Sequence, residues 1–259
     1  MGELDGNVAV VTGGANGIGA GIVKVLAQHG ATVVITDIVE DEAKARAEEV
    51  VAAGGTAIAL RQDVTSADSC HETVAAVVER FGRLDTLVNN AGISGRSPFR
   101  EIEESDWDRM MEVNLKSVYL VTRAAIEPMI QQRAGAIVNT ASIAGKVAFP
   151  NFSHYSVTKF GVIALTQALA KEFAEFGVRV NAVCPGVVRT PLWGPLLEQA
   201  AEATGMTPEQ AWSEAVAPIP MGVPQDPEDI GEAVAFLASA RARYVTGEAW
   251  NIAGGQEVR

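Results

Sequence analysis

Apolar and polar positions along this chain fall into two alternating patterns. Short apolar runs at Val8–Val11, Thr32–Thr36, Thr56–Leu60, Leu84–Val88, Ala136–Thr140 and Val178–Val183 are mostly hydrophobic at every position. Such runs are the signature of strands covered on both faces, because a half-exposed strand would show alternation. Between them, Ile18–Gln28, Asp41–Ala53, Ala67–Arg80, Glu104–Gln132, Ser153–Glu175 and Pro227–Ala238 carry apolar residues at helical spacing. Gly54-Gly55, Gly82 and Gly177 close three of these helices, where glycine suits a left-handed C-terminal residue. The alternation predicts an α/β fold: a doubly wound parallel sheet flanked by helices, with right-handed crossovers, as a single domain over residues 1–259.

One stretch breaks the rhythm. Pro185 to Gln225 is long for a connection and rich in proline. Within it Leu192–Thr204 and Pro208–Val216 have the pattern of short amphipathic helices, with Trp193 and Trp212 to pack. Long ordered connections are commonly functional, so residues 187–225 are expected to form a flap over a substrate.

Composition narrows the classes of function. A length of 259 residues with 48% hydrophobic content suffices for a sizeable core. Twenty basic against 32 acidic residues give a net charge of −12, which argues against a nucleic-acid partner, since that contact needs Lys and Arg on phosphates. Cys70 and Cys184 have no neighbouring cysteine, and His29, His71 and His154 are unclustered, so neither a disulfide nor a metal site is expected. The first residues show no basic leader and no long apolar run, so neither export nor a membrane span is expected, and the location is read as cytoplasmic.

The chemistry lies at the strand ends. Thr12-Gly-Gly-Ala-Asn-Gly-Ile-Gly19 follows the first strand and opens a helix near Ile18. Gly13, Gly17 and Gly19 allow a tight turn and bring the backbone close to a pyrophosphate, which a helix N-terminus stabilises. Asp37 ends the second strand, where a carboxylate accepts hydrogen bonds from an adenosine ribose and repels a 2′-phosphate. Its alternative reading is a cap for the next helix. The loop offers Ala15 and Asn16, and Ile38 and Val39 follow Asp37, so no cation stands in sequence near that position. NAD is therefore the expected cofactor and NADP is disfavoured. Asp63-Val64 closes the third strand, placed to meet the adenine, and Asn89-Asn90-Ala91-Gly92 closes the fourth. Tyr155 and Lys159 share a helix face at a spacing of four, with Ser142 upstream. A free phenol, with a pKa of about 10, is too weak a base at neutral pH; a lysine and a positive nicotinamide ring beside it favour the phenolate. Ser142 can stabilise charge on a reacting oxygen or simply cap a turn, and Asn114 can satisfy helix backbone.

Taken together, these residues resemble a short-chain dehydrogenase/reductase over nearly the whole chain. The resemblance rests on Thr12-Gly-x-x-x-Gly-Ile-Gly19, Asn89-Asn-Ala-Gly92, Asn114, Ser142, Tyr155-x-x-x-Lys159, Pro185-Gly186 with Thr190, and Gly254-Gly255. It implies a Rossmann-like sheet and reversible hydride transfer between a nicotinamide cofactor and a secondary alcohol or ketone. Tyr155 would be the acid/base, Lys159 would hold the nicotinamide ribose, Asn114 would anchor a water in a proton relay, and Val188 and Thr190 would contact the nicotinamide amide. Asn16, Ile18, Ile38, Asn90, Ala91, Gly92, Pro185 and Gly186 complete the cofactor set. Where the family often has Asp before its final Gly-Gly, this chain reads Asn251-Ile-Ala.

For the substrate, the expected wall is Ser94, Ile143, Val147, Phe149, His154, Val187, Trp193 and Met221, mostly apolar. His154 adjoins Tyr155, but successive helical residues diverge by about 100°, which favours a spectator role. A small polyol or acetoin-like hydroxyketone is expected. The alternative is a 3-oxoacyl thioester, weakened because only Arg133 supplies a cation where carrier-protein reductases resembling this chain place several. A non-catalytic dinucleotide-binding protein is a third reading, opposed by the intact Ser142, Tyr155 and Lys159. The two long helices carry more apolar positions than one sheet face can cover, and with the family's habit this implies a homotetramer.

Overall fold

A computed structural model describes residues 2–191 and 193–258. Its strands are β1 Val8–Thr12, β2 Thr32–Asp37, β3 Thr56–Arg61, β4 Thr86–Asn89, β5 Gly135–Thr140, β6 Val178–Pro185 and β7 Ala249–Ile252. They form one sheet in the order β3-β2-β1-β4-β5-β6-β7, parallel throughout. The helices are α1 Gly17–Gln28, α2 Glu40–Ala52, α3 Ala67–Phe81, α4 Glu104–Met111, α5 Ser117–Gln132, α6 Ser153–Phe173, α7 Trp193–Thr204, α8 Pro208–Val216 and α9 Pro227–Ala238.

The continuous apolar runs have the expected cause. Alternate residues of each strand feed two cores on opposite faces: Val11, Val33, Ile35 and Val88 pack with α1 and α9, while Val10, Val34, Leu87 and Ile137 pack with α3 and α5. On the first face α1 and α9 touch backbone to backbone. A Cβ built on Gly21 would lie 2.4 Å from Pro227 Cβ, and one on Gly231 would lie 2.9 Å from Gly21 O. Sheet order reverses between β1 and β4, and the carboxyl ends of these two strands open the crevice where α/β sheets bind ligands.

Beyond shifts of one or two residues at element ends, the structure departs from the sequence reading in several places. β7 was not anticipated; all four of its residues are only partly buried, so it lacks the saturated apolar run of the inner strands. β4 starts at Thr86 rather than Leu84, because the Gln132 side chain takes both backbone groups of Leu84, donating to its O and accepting from its N. The helix predicted over Glu104–Gln132 is interrupted by a π turn at Glu112–Lys116. The helix predicted from Leu192 starts at Trp193, and Leu192 itself lies outside the described residues.

The flap leaves and rejoins the body at one point. Val188 bridges Gln225, Arg189 N donates to Gln225 O at 2.8 Å, Gln225 N donates to Val187 O at 3.0 Å, and Gly186 N donates to Gln225 Oε1 at 3.1 Å. Inside it, Trp193 and Trp212 meet edge to face with centroids 5.4 Å apart. The Arg189 guanidinium lies over the Trp212 ring, 5.5 Å from its centre. No helix among the described residues is long and apolar enough to cross a membrane.

Candidate active site

A cavity of about 830 Å³ runs along the carboxyl ends of the strands, from Asp37, Ile38, Asp63 and Val64 at one end to Trp193, Glu214 and Pro218 at the other. Its volume is within the range of cofactor and ligand sites.

The narrow middle is built from bare backbone. Gly13 has φ +60 and a Cβ there would lie 2.9 Å from Ala91 Cα, while a Cβ on Gly19 would lie 2.0 Å from Gly13 O. Asn90 fastens this turn: its Nδ2 donates to Thr12 O at 3.1 Å and to Gly13 O at 3.0 Å, and its backbone N donates to Thr12 Oγ1. α1 then begins at Gly17 with no side-chain cap from Asn16 and no acid in its first turn. Its first N–H groups are left free of acidic competitors, which suits a phosphate. Asn16 instead donates to Glu42.

At the first end, the half-buried Asp37 accepts from Ala15 N through Oδ2 at 3.3 Å and from Val39 N through Oδ1 at 3.2 Å. It thus lines the cavity while holding the turn, and it does not cap α2, whose N-cap is Val39 with no side-chain bond. Asp63 also lines the cavity and is held well ionised, because the hydroxyl and backbone N–H of Thr65 both donate to it. Cations missing from the linear neighbourhood are supplied by the fold. Arg46 of α2 donates from Nε to Ala15 O at 3.1 Å, and Arg61 pairs in register with Asp37. The expectation that no cation stands near Asp37 is therefore corrected.

The residues at the centre are nearly all brought together. Ser142, Tyr155, Lys159, Pro185, Gly186, Val188 and Thr190 line the cavity, as do Gly13, Asn16, Gly17, Ile18, Ile38, Asn90, Ala91 and Gly92. Gly19 lies behind the wall as packing for the loop. Ser142 starts a 3-10 turn, its Oγ accepting from Ala144 N at 3.1 Å. Lys159, almost wholly buried, donates to Thr140 O at 2.9 Å and holds its ammonium 5.6 Å from the Tyr155 ring centre. Burial pulls the Lys159 amine down to about 8. Burial likewise pushes the Tyr155 phenol up, the Ser142 hydroxyl pulls it back, and the buried Cys184 thiol adds to the rise. The expected lowering of the phenol by Lys159 is not what the chain's own groups produce. Lys159 is not among the groups that lower the phenol, and its ammonium donates to the Thr140 carbonyl.

Asn114 stands in the π turn and does not line the cavity. Its amide clasps Ile93, accepting from N at 2.8 Å and donating to O at 2.9 Å, and so positions the segment that carries Ser94. Ser94, Ile143, Phe149, Val187 and Trp193 also line the cavity. His154 does not: it is buried beside Gly95, outside the cavity, and burial lowers its pKa against the pull of Asp106. Met221 is 72% exposed, and neither it nor Val147 lines the cavity. Phe152, Arg109, Gln62 and Glu214 line it without having been singled out. Phe152, three residues before Tyr155 and edge to face with it, was findable from helical spacing; Glu214 had no linear signal. No group of three or more His, Cys, Asp or Glu among the described residues is arranged to hold a metal.

Residues 13–257 match the protein family described as "Enoyl-(Acyl carrier protein) reductase". The chain is 39% identical over 253 residues to the 3-oxoacyl-[acyl-carrier-protein] reductase FabG of Thermotoga maritima, covering 98% of each chain. It is 40% identical over 256 residues to the 2,5-dichloro-2,5-cyclohexadiene-1,4-diol dehydrogenase LinX of Sphingobium indicum, covering 99% of this chain and 98% of that one. Among solved structures, levodione reductase superposes with a TM-score of 0.92 at 31% identity, covering 98% of each chain.

Proposed function

This chain belongs to the short-chain dehydrogenase/reductase family, and from that premise we propose that it is an NAD-dependent oxidoreductase of secondary alcohols and ketones, with Tyr155 as the acid/base. The observation that carries the reading is the convergence of Ser142, Tyr155 and Lys159 on one cavity that continues into the bare glycine turn and Asp37. When bound, a nicotinamide dinucleotide accepts or returns the hydride. Gly13, Asn16, Gly17, Ile18, Asn90, Ala91 and Gly92 would hold its phosphates and riboses, Asp37, Ile38, Asp63 and Val64 its adenosine, and Pro185, Gly186, Val188 and Thr190 its amide end.

In the oxidative direction the Tyr155 oxygen takes the hydroxyl proton of the substrate, while the Ser142 hydroxyl bonds the same substrate oxygen and steadies its charge. Lys159 orients the ribose and keeps a positive charge near the phenolate. Asn114 acts through Ile93, fixing the wall that carries Ser94; a relay water on its amide would have to share groups already bonded to Ile93.

The substrate end is mainly apolar, with Ile143, Phe149, Phe152, Val187, Trp193 and Leu196. This wall favours a hydroxyketone or diol borne on a compact apolar frame, and the cyclohexadienediol named for LinX is of that kind. A 3-oxoacyl thioester is the second reading, supported by the FabG relative. Against its carrier-protein form, Arg133 is the single cation at that position, and one of its donors is on Glu175 O at 2.9 Å.

The test is a panel of diols, hydroxyketones, ketones and 3-oxoacyl thioesters with NAD(H) and NADP(H), followed by nicotinamide absorbance. Turnover of small secondary alcohols or ketones is expected, with at least about a tenfold advantage for NAD. Tyr155→Phe should keep NADH affinity and lose roughly a thousandfold or more in turnover. A variant retaining a tenth of the activity would remove Tyr155 from this role.

A further inference from the structure

Arg46 sits on α2, outside the cavity, yet it grips the glycine turn. Its Nε donates to Ala15 O at 3.1 Å, Nη1 pairs with Glu49, and the side chain is 29% exposed. Ala15 N donates in the opposite direction, to Asp37 Oδ2 at 3.3 Å. One residue's backbone is thus held between a carboxylate and a guanidinium, with Glu42 taking Asn16 beside it. Asp37 and Asn16 both line the cavity at its adenosine end.

We propose that Arg46 is a latent partner for a 2′-phosphate and a second determinant of cofactor choice: Asp37 masks it, and removal of the Asp37 charge exposes a site for NADP that Arg46 completes. This rests on the assignment of that cavity end to the adenosine ribose. A guanidinium has five N–H donors in a planar fork suited to phosphate, and here Nη2 has no partner among the described residues. With Asp37 in place, a dianionic phosphate meets the carboxylate first. Without it, the charges engaged with the turn are Arg46 on Ala15 and Glu42 on Asn16, and Arg46 is the one that can pair with a phosphate. Arg61 is the competing cation, since it pairs in register with Asp37, but it lies between the carboxylates of Glu40 and Asp63 and lowers the pKa of both. Arg46 pairs with Glu49 and also acts on Glu228, but unlike Arg61 it donates directly to the turn.

Calorimetric titration with 5′-ADP and 2′,5′-ADP isolates the 2′-phosphate from the rest of the cofactor and needs no turnover. The wild type should favour 5′-ADP, and Asp37→Ser should shift the ratio toward 2′,5′-ADP by about tenfold or more. Adding Arg46→Gln to Asp37→Ser should remove most of that gain while 5′-ADP affinity moves by less than about threefold; Arg46→Lys, which keeps the charge without the fork, should fall between. Glu49→Gln on the Asp37→Ser background should increase the gain by freeing the guanidinium, which is a readout independent of any loss of folding. The proposal is overturned if Arg46→Gln leaves the gain intact, if no gain appears in Asp37→Ser, or if Arg61→Gln rather than Arg46→Gln abolishes it. Should the wild type bind both ligands equally, the NAD preference fails, while the comparison of Asp37→Ser with its Arg46→Gln partner still decides the role of Arg46.

Discussion

Lys159 is 5% exposed and its amine is drawn down from 10.5 to about 8 by desolvation. A depressed lysine works against folding while it is charged. Below about pH 8 the amine is protonated in both the folded and the unfolded chain, so the cost of burying the charge is fully present. Between about 8 and 10.5 the unfolded chain holds more protons, and stability rises with pH through that window. Lys159→Met lacks this term. The unfolding free energy of the wild type minus that of the variant should therefore become more favourable by up to about 3 kcal/mol across that window, read by urea unfolding at its two ends. A difference that does not change with pH would mean that Lys159 is not desolvated in solution. The same burial raises the Tyr155 phenol and favours its protonated form, while Lys159 at about 8 stays charged at neutral pH. The residue types and their spacing of four were legible in the chain; the direction of their pKa shifts was not, because desolvation depends on neighbours such as Cys184 and Thr140 that only the fold assembles.

Among the elements, the glycine turn between β1 and α1 has the least room. Gly19→Ala would put a Cβ 2.0 Å from Gly13 O and 2.7 Å from Asn90 Nδ2, displacing the amide that fastens the turn. Because the sheet behind it is untouched, the variant should keep its thermal transition within a few degrees yet lose about tenfold or more in NADH affinity by fluorescence titration. Unchanged affinity would sink the account of this turn as a phosphate cradle. Inner strands were readable because both faces of each are buried, which leaves no polar alternation; β7, half covered, had no such signature. The π turn at Glu112–Lys116 escaped notice because one widened turn barely disturbs apolar spacing, and the clasp of its Asn114 on Ile93 joins residues 21 apart. Arg46 was missed for the same reason: its contact with Ala15 spans 31 positions.

At the scale of the whole molecule, the outer faces of α5 and α6 carry Tyr119, Val157 and Phe160, each 45–46% exposed, while Val118 and Val162 are buried. The surplus is smaller than the pattern suggested but is contiguous with the long helices expected to pair. We expect the chain to assemble as a homotetramer, and Phe160→Asp with Val157→Asp to reduce the mass measured by light scattering at micromolar concentration. A monomeric wild type at that concentration would refute the assembly. A different consequence follows from the contact between α1 and α9. Val25 and Leu26 share their core with Val234 and Leu237, and Gly21 is tight against Pro227. During synthesis at about 5–20 residues per second, α1 leaves the ribosome roughly 10–40 s before the helix that covers it. Through that interval the apolar stripe of α1 faces water or a chaperone, and a chain truncated before Pro227 would carry it exposed for good. The turn that α1 supports is therefore among the first parts of the protein to be made and among the last to be finished.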